Sequence, residues 1–294
     1  MSFVIFVDST SDLNRQQREQ YQIEYVAMNY VLDGKEYPAS LDWDSHSPKE
    51  FYDLMRAGKR ITTTQVPREV LTTAFETCLK EGKDVVYVAC SSALSGTWNL
   101  STVVAKELSE TYPDNRVYCV DSLISSLGQA SLAIMASQMR EQGKSAAETA
   151  AYLEENRLKV NQYGTCDTLE YLRRAGRVKA SKAFFGNLFG VKPVLISDKV
   201  GQNYAVKKAK GNLNARIAVA EGIVEAVENS ETQVLYISHA DNEEGALQVK
   251  DLVLERAPFA DVHIDCITPI VGSCVGPGTI IAFCYGKEVT IQGE

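Results

Sequence analysis

Seven consecutive residues, Ser91-Ser92-Ala93-Leu94-Ser95-Gly96-Thr97, combine four hydroxyls with a glycine directly behind the apolar run Val85-Val86-Tyr87-Val88-Ala89. The β-branched and aromatic run predicts a buried parallel strand, and the pattern from Asn99 to Leu108 predicts a helix after the box. A strand-to-helix turn of this kind aims backbone N–H groups and hydroxyls outward. In open α/β sheets such turns carry ligands, and helix N-termini favour anions. With no lysine, arginine or histidine in the box, the chemistry it suits is the holding of one modest anion, such as a carboxylate, rather than a polyphosphate.

Other turns share that geometry. Asp8-Ser9-Thr10-Ser11 follows the first apolar run, and Asp121-Ser122 follows Tyr118-Cys119-Val120. Thr62-Thr63-Thr64-Gln65-Val66-Pro67 precedes a helix and would lean over the same edge. Taken singly, each is explained as a set of helix N-caps. Parallel strands, however, place their C-terminal ends on one edge, so the turns should converge on one site.

Ser95 could alternatively be a nucleophile, with His239 of Ser238-His239-Ala240-Asp241 as its base. A hydrolase or acyltransferase built on Ser95 and His239 needs that pair in contact, and neither Gly-x-Ser-x-Gly nor Ser-x-x-Lys is present at Ser95. Gly272-Ser273-Cys274-Val275-Gly276-Pro277-Gly278 lacks the lysine and spacing of a phosphate loop. It reads either as a tight loop between strands or as backbone that approaches a ligand or partner closely. Arg177 lies beyond Gly176, where it could turn toward a carboxylate. The run Ala183 to Leu188 is more apolar than a solvated helix needs, and fits core or the wall of an apolar ligand site.

The elements that must position these residues alternate strand and helix through the first half. Strands are expected at Phe3 to Val7, Glu24 to Leu32, Asp84 to Cys90 and Arg116 to Val120. Helices are expected at Asp12 to Tyr21, Ser47 to Met55, Pro67 to Leu79, the box to Glu110, Gly128 to Gln142, and Ser145 to Arg157. That order implies a mostly parallel sheet flanked by helices. The character changes near Lys159, with a strand Asn161 to Thr165, a hairpin spanning Val194 to Ala209, and later strands near Gln233 to Ser238, Val262 to Cys266 and Thr279 to Tyr285. The expectation is two α/β domains, residues 1–158 with the carboxylate-binding turns and residues 159–294 with a mixed sheet, and a ligand site between them.

Composition narrows the function classes. The chain has 294 residues, 45% hydrophobic and 23% charged, with a net charge of −8. That charge opposes binding to nucleic acid, which needs a concentrated basic surface, and to an anionic membrane. No run of about 18 apolar residues is present, and Met1 to Asp8 reads as a first strand rather than a leader. Seven cysteines without a Cys-x-x-Cys pair suggest reduced thiols and a cytoplasmic protein. Three scattered histidines give no metal-ligand cluster, so neither metal nor cofactor is expected.

Together these segments resemble the DegV family over essentially the whole chain. The matching pieces are Asp8-Ser9-Thr10, Asp33-Gly34-Lys35-Glu36-Tyr37, Thr63-Thr64-Gln65, Ser91 to Thr97, Asp121-Ser122, Asp167 to Leu172 with Gly176-Arg177, His239-Ala240-Asp241-Asn242, and Gly276-Pro277-Gly278. The resemblance implies a non-catalytic lipid-binding protein that holds one long-chain fatty acid between its domains. It is similar to the acyl-binding subunit of bacterial fatty acid kinase, which presents the carboxylate to a separate ATP-binding subunit. By motif, Thr63 and Ser95 would hydrogen-bond the carboxylate, the Gly96 N–H would assist, and Arg177 would lie near the head group or the pocket mouth. Two departures fall on positions associated with the kinase-facing surface: Lys210 where many members carry arginine, and Cys274 where many carry histidine. Burying about 14 methylenes at ~0.8 kcal/mol each would contribute about 11 kcal/mol before association costs, so neutral hydroxyls could suffice at the head group.

Overall fold

The protein is described here from a computed structural model covering residues 3–180, 184 and 190–293. Four strands, β1 (Val4–Asp8), β2 (Ile23–Val26), β3 (Asn29–Leu32) and β4 (Lys35–Pro38), open the chain, with helix α1 (Arg15–Tyr21) between the first two. There follow α2 (Pro48–Arg56), β5 (Ile61–Thr64), α3 (Arg68–Lys80), β6 (Val85–Ala89), α4 (Thr97–Thr111), β7 (Val117–Asp121), α5 (Ser126–Glu141) and α6 (Ala146–Asn156). A parallel sheet of order β2-β1-β6-β7 forms the centre of this half. β6 is buried at every position, as a strand covered on both faces must be. Helix starts follow the sequence signals: Ser47 and Ser145 both form capping boxes, with Glu50 and Glu148.

The second half contains β8 (Val160–Thr165), α7 (Glu170–Ala175), β9 (Val191–Ser197), β10 (Asn203–Lys210), α8 (Gly211–Ala226), β11 (Val234–His239), α9 (Glu243–Leu254), β12 (Asp261–Cys266), α10 (Pro269–Val275) and β13 (Ile280–Tyr285). Its strands form a mixed sheet of order β10-β9-β8-β13-β11-β12. Alternation along each strand divides its two faces. Ile280, Ala282, Cys284, Leu235 and Ile237 pack into one hydrophobic cluster with α8 and α9. Val160, Leu195, Ile281 and Phe283 face the other way and join the core of the first half. Helix α5 lies between, in contact with β1, β2 and β6 on one side and β8, β11 and β13 on the other.

Three expectations are corrected. The extended run from Glu24 to Leu32 divides into β2 and β3, which belong to different sheets. The chain departs at Met28, whose N–H donates to Ser9 Oγ (3.0 Å) and whose carbonyl accepts from Ala39 N (2.8 Å). Thr62 to Thr64 is part of strand β5, paired antiparallel with β3 in a small third sheet of order β4-β3-β5. The glycine-rich segment is not wholly a loop, because Thr268 and Pro269 open α10, which runs to Val275. The apolar run Ala183 to Leu188 lies outside the described residues, apart from Phe184.

Candidate functional site

Strand β6 delivers the hydroxyl box to the C-terminal edge of the parallel sheet, as its sequence requires. Much of that polar chemistry is consumed in building the edge. The Asp8 carboxylate accepts from Thr10 N and Oγ1, from Tyr87 OH (2.8 Å) and from Cys90 N (2.9 Å). Asp121 Oδ1 accepts from Ser92 N and Leu123 N, and Ser91 Oγ donates to the Gly201 carbonyl at 2.8 Å. These bonds tie loops together, and of the residues that make them only Thr10 and Cys90 also line the cavity described next.

What the knotted loops leave open is a cavity of about 190 Å³ between the halves. Thr10, Thr63, Thr64, Gln65, Cys90, Leu94, Ser95, Gly96 and Ser125 line it from the first half; Gln162, Leu172, Arg177, Asn203, Ile270, Val271, Cys274, Val275 and Ile281 line it from the second. Thr63, Ser95, Gly96 and Arg177 are thus brought together. Three of the four hydroxyl turns reach the cavity, while Asp121-Ser122 does not and Ser125, just beyond, does.

The polar end of this cavity is built around the start of α4. Ser95 Oγ accepts from Thr97 N at 3.2 Å and lies 3.0 Å from Thr97 Oγ1. Its hydroxyl therefore caps the helix start while still lining the cavity. A Cβ on Gly96 would lie 2.5 Å from Gln65 Oε1, so glycine admits the Gln65 amide beside the helix N-terminus. Arg177 follows Gly176, which closes α7 in the left-handed region (φ 70°). Its Nε donates to the Leu94 carbonyl at 3.0 Å and its Nη1 to the Ala175 carbonyl. Arg177 makes no ion pair among the described residues, so its charge is available to an anion in the cavity.

A second, smaller cavity of about 140 Å³ adjoins the first and shares Thr63, Arg177 and Cys274 with it. Lys59, Arg60 and Arg174 line this outer space, with Lys59 paired to Asp33 and Arg174 to Glu170, making a basic forecourt that the sequence pattern did not single out. Lys59-Arg60 immediately before the strand that carries Thr63 was the available signal.

Of the remaining candidates, Cys274 lies on α10 and lines both cavities. Burial pushes its thiol up, opposed by the nearby Arg177 charge. Lys210 is exposed, at the start of α8, and lines neither cavity. His239 ends β11, and its Nδ1 accepts from Asn242 N at 3.2 Å. Burial lowers its pKa from the usual imidazole range. Among the described residues Ser95 Oγ finds only Thr97 within hydrogen-bond reach, and His239 lines neither cavity, so the structure does not assemble the Ser95–His239 pair. The close backbone approaches offered by the glycine-rich segment are used internally. A Cβ on Gly272 would lie 2.5 Å from Tyr52 OH, and one on Gly276 would lie 2.2 Å from the Tyr171 ring.

The DegV family model, described as an uncharacterised protein family, matches residues 2–287. The chain belongs to the DegV family. A DegV domain-containing protein of Clostridium perfringens is 36% identical over 284 residues, covering 97% of both chains. Among solved structures, a DegV family protein from Thermus thermophilus described by its fatty acid binding superposes with a TM-score of 0.88 at 28% identity, covering 98% of this chain and 100% of that one. A DegV lipid-binding protein from Thermotoga maritima gives 0.85 at 27% identity, covering 99% and 100%. The DegV fatty-acid-binding protein from Bacillus subtilis gives 0.82 at 26%, covering 97% and 99%. These matches fit the α/β architecture of both halves and span both walls of the cavity. Among the described residues, no helix is long and apolar enough to cross a membrane.

Proposed function

We propose that this DegV protein binds one long-chain fatty acid in the cavity between its halves, here assigned as domains 1–158 and 159–294. The observation that carries the reading is the composition of that cavity. Its lining combines Thr63, Ser95, the start of α4 and an Arg177 without an ion-pair partner among the described residues with apolar Leu94, Leu172, Ile270, Val271, Val275 and Ile281. The carboxylate would accept from the Thr63 and Ser95 hydroxyls and the Gly96 N–H, with Arg177 balancing its charge. Solved relatives with fatty acids support the same ligand class.

The finer reading is that the protein performs no chemistry itself and presents the carboxylate to a separate ATP-binding kinase subunit. The basic forecourt of Lys59, Arg60 and Arg174 beside Thr63 supports it, since phosphoryl oxygens would be received there. Cys274 occupies the position between the two cavities, and Lys210 would belong to the partner-facing surface.

Native mass spectrometry of the freshly purified protein, with denaturing lipid extraction in parallel, tests the ligand class. A stoichiometric added mass matching a palmitate-, stearate- or oleate-like species is expected. An unliganded mass, with no fatty acid recovered and none taken up on titration, refutes the reading.

A further inference from the structure

Two polar side chains, Gln162 and Ser125, line the cavity besides the residues assigned above to the carboxylate. Gln162 is 5% exposed and lines the cavity from β8. It shares a sheet face with Val160, Leu195, Ile281 and Phe283, all packed in the apolar core. Its Nε2 donates one hydrogen to Asn203 Oδ1 at 3.1 Å, and Asn203 Nδ2 donates in turn to the Arg177 carbonyl at 3.0 Å. That chain fixes the amide and leaves one Nε2 hydrogen and the Oε1 acceptor without a partner among the described residues.

Ser125 lines the same cavity from the first half, 8% exposed and immediately before α5. A serine at that position ordinarily caps its helix, yet this one makes no capping bond and no side-chain hydrogen bond among the described residues. Thr10, also in the wall, differs because its hydroxyl is already engaged with Asp8 and Gln129. Against a plain alkyl chain, Gln162 and Ser125 would be desolvated without compensation. Nothing else among the described residues uses those polar atoms.

We propose that the preferred ligand is a hydroxy fatty acid, whose chain hydroxyl donates to Gln162 Oε1 and accepts from the Ser125 hydroxyl. The inference rests on the fatty-acid reading and adds the class of acyl chain. An alcohol suits the pair because it donates and accepts through one oxygen, whereas a double bond offers neither function to an amide.

Displacement titration of the delipidated full chain with stearate and a positional series of monohydroxystearates provides the test. At least one positional isomer should bind about tenfold tighter than stearate, which corresponds to ~1.4 kcal/mol. In Ser125→Ala and in Gln162→Leu the ratio of the two affinities should fall toward one. Stearate binding with every hydroxylated isomer equal or weaker overturns the inference and leaves the fatty-acid reading standing. A tenfold ratio unchanged in Ser125→Ala, which removes only one cavity-facing hydroxyl, overturns the assignment to this pair. Failure of stearate and all isomers to bind overturns the fatty-acid reading itself.

Discussion

Asp12 is fully buried among hydrogen-bond donors and carries no cationic partner among the described residues, so replacing it with asparagine should change how stability depends on pH. Its Oδ1 accepts from Thr268 N (2.8 Å) and Oγ1 (2.6 Å), and its Oδ2 accepts from Ser126 Oγ (2.5 Å). Three donors favour the carboxylate, but desolvation outweighs them and raises the pKa to about 7, with Asp265 adding in the same direction. A carboxyl raised from 3.8 to about 7 binds its proton more tightly when folded. Its contribution to stability is therefore complete below about pH 4 and is lost as pH rises through about 7. Three units at 1.36 kcal/mol each give a span of about 4 kcal/mol. The Asp12→Asn side chain would keep the left-handed backbone (φ 55°) that asparagine tolerates, and it cannot ionise. Urea denaturation of wild type and Asp12→Asn between about pH 4 and pH 8 reads the difference directly. The variant should gain on wild type by up to about 4 kcal/mol across that range. Parallel curves would show that Asp12 stays ionised at an ordinary pKa, and the desolvation reasoning would be wrong.

The remaining predictions concern ligand and interface. Arg177→Leu should weaken fatty-acid binding by about ten- to a hundredfold, the worth of a charge-assisted hydrogen bond, in a displacement titration. Ser95→Ala should weaken binding about fivefold and, because Ser95 also accepts from Thr97 N, cost about 1 kcal/mol of folding stability by urea titration. An unchanged affinity and bound geometry would remove Ser95 from the site. Val271→Trp should abolish stoichiometric lipid in native mass spectra, since Val271 is 6% exposed and forms cavity wall. Gly201→Ala should destabilise more than Gly58→Ala: both have positive φ, but a Cβ on Gly201 would lie 2.2 Å from Ser91 Oγ and 2.9 Å from Leu123 Cα, while Gly58 has nothing within 4 Å.

Legibility in the sequence followed the range of the interactions involved. The strand Val85 to Ala89 and the capped helices at Ser47 and Ser145 were readable because their signals are local: burial period, Pro at the first turn, Glu three residues beyond the cap. The split of Glu24 to Leu32 was not, because it depends on Met28 bonding with Ser9 and Ala39, which no local pattern announces. Strand polarity placed Ser95 and Gly96 at the sheet edge, whereas Thr63, on the antiparallel β5, was named by the family motif. Arg177 was a candidate from its place beyond Gly176, but its position beside Leu94 was not legible, being a contact across 83 residues. Gln162 was missed because a single polar residue in a strand gives no sign of which face it occupies until register is known. The basic forecourt was missed for a related reason, Arg174 being far in the chain from Lys59 and Arg60.

The cavity belongs to neither half alone, and the bonds that hold the halves together surround it. Ser91 Oγ reaches the Gly201 carbonyl, Ser197 Oγ the Leu123 carbonyl at 2.9 Å, Ser126 Oγ the Ser238 hydroxyl at 2.9 Å, and Tyr52 OH the Ile267 carbonyl at 2.6 Å. The loops that make these bonds, Ser91 to Gly96 and the segment before α5, also line the cavity. A tail seated there would fill the space between α10 and the parallel sheet edge, and its apolar burial would add to the same interface. On the proposed reading, head-group recognition and cohesion of the two halves would be coupled through one set of loops. This explains why so many hydroxyls gather at one edge: most secure the walls, and few remain to meet the ligand.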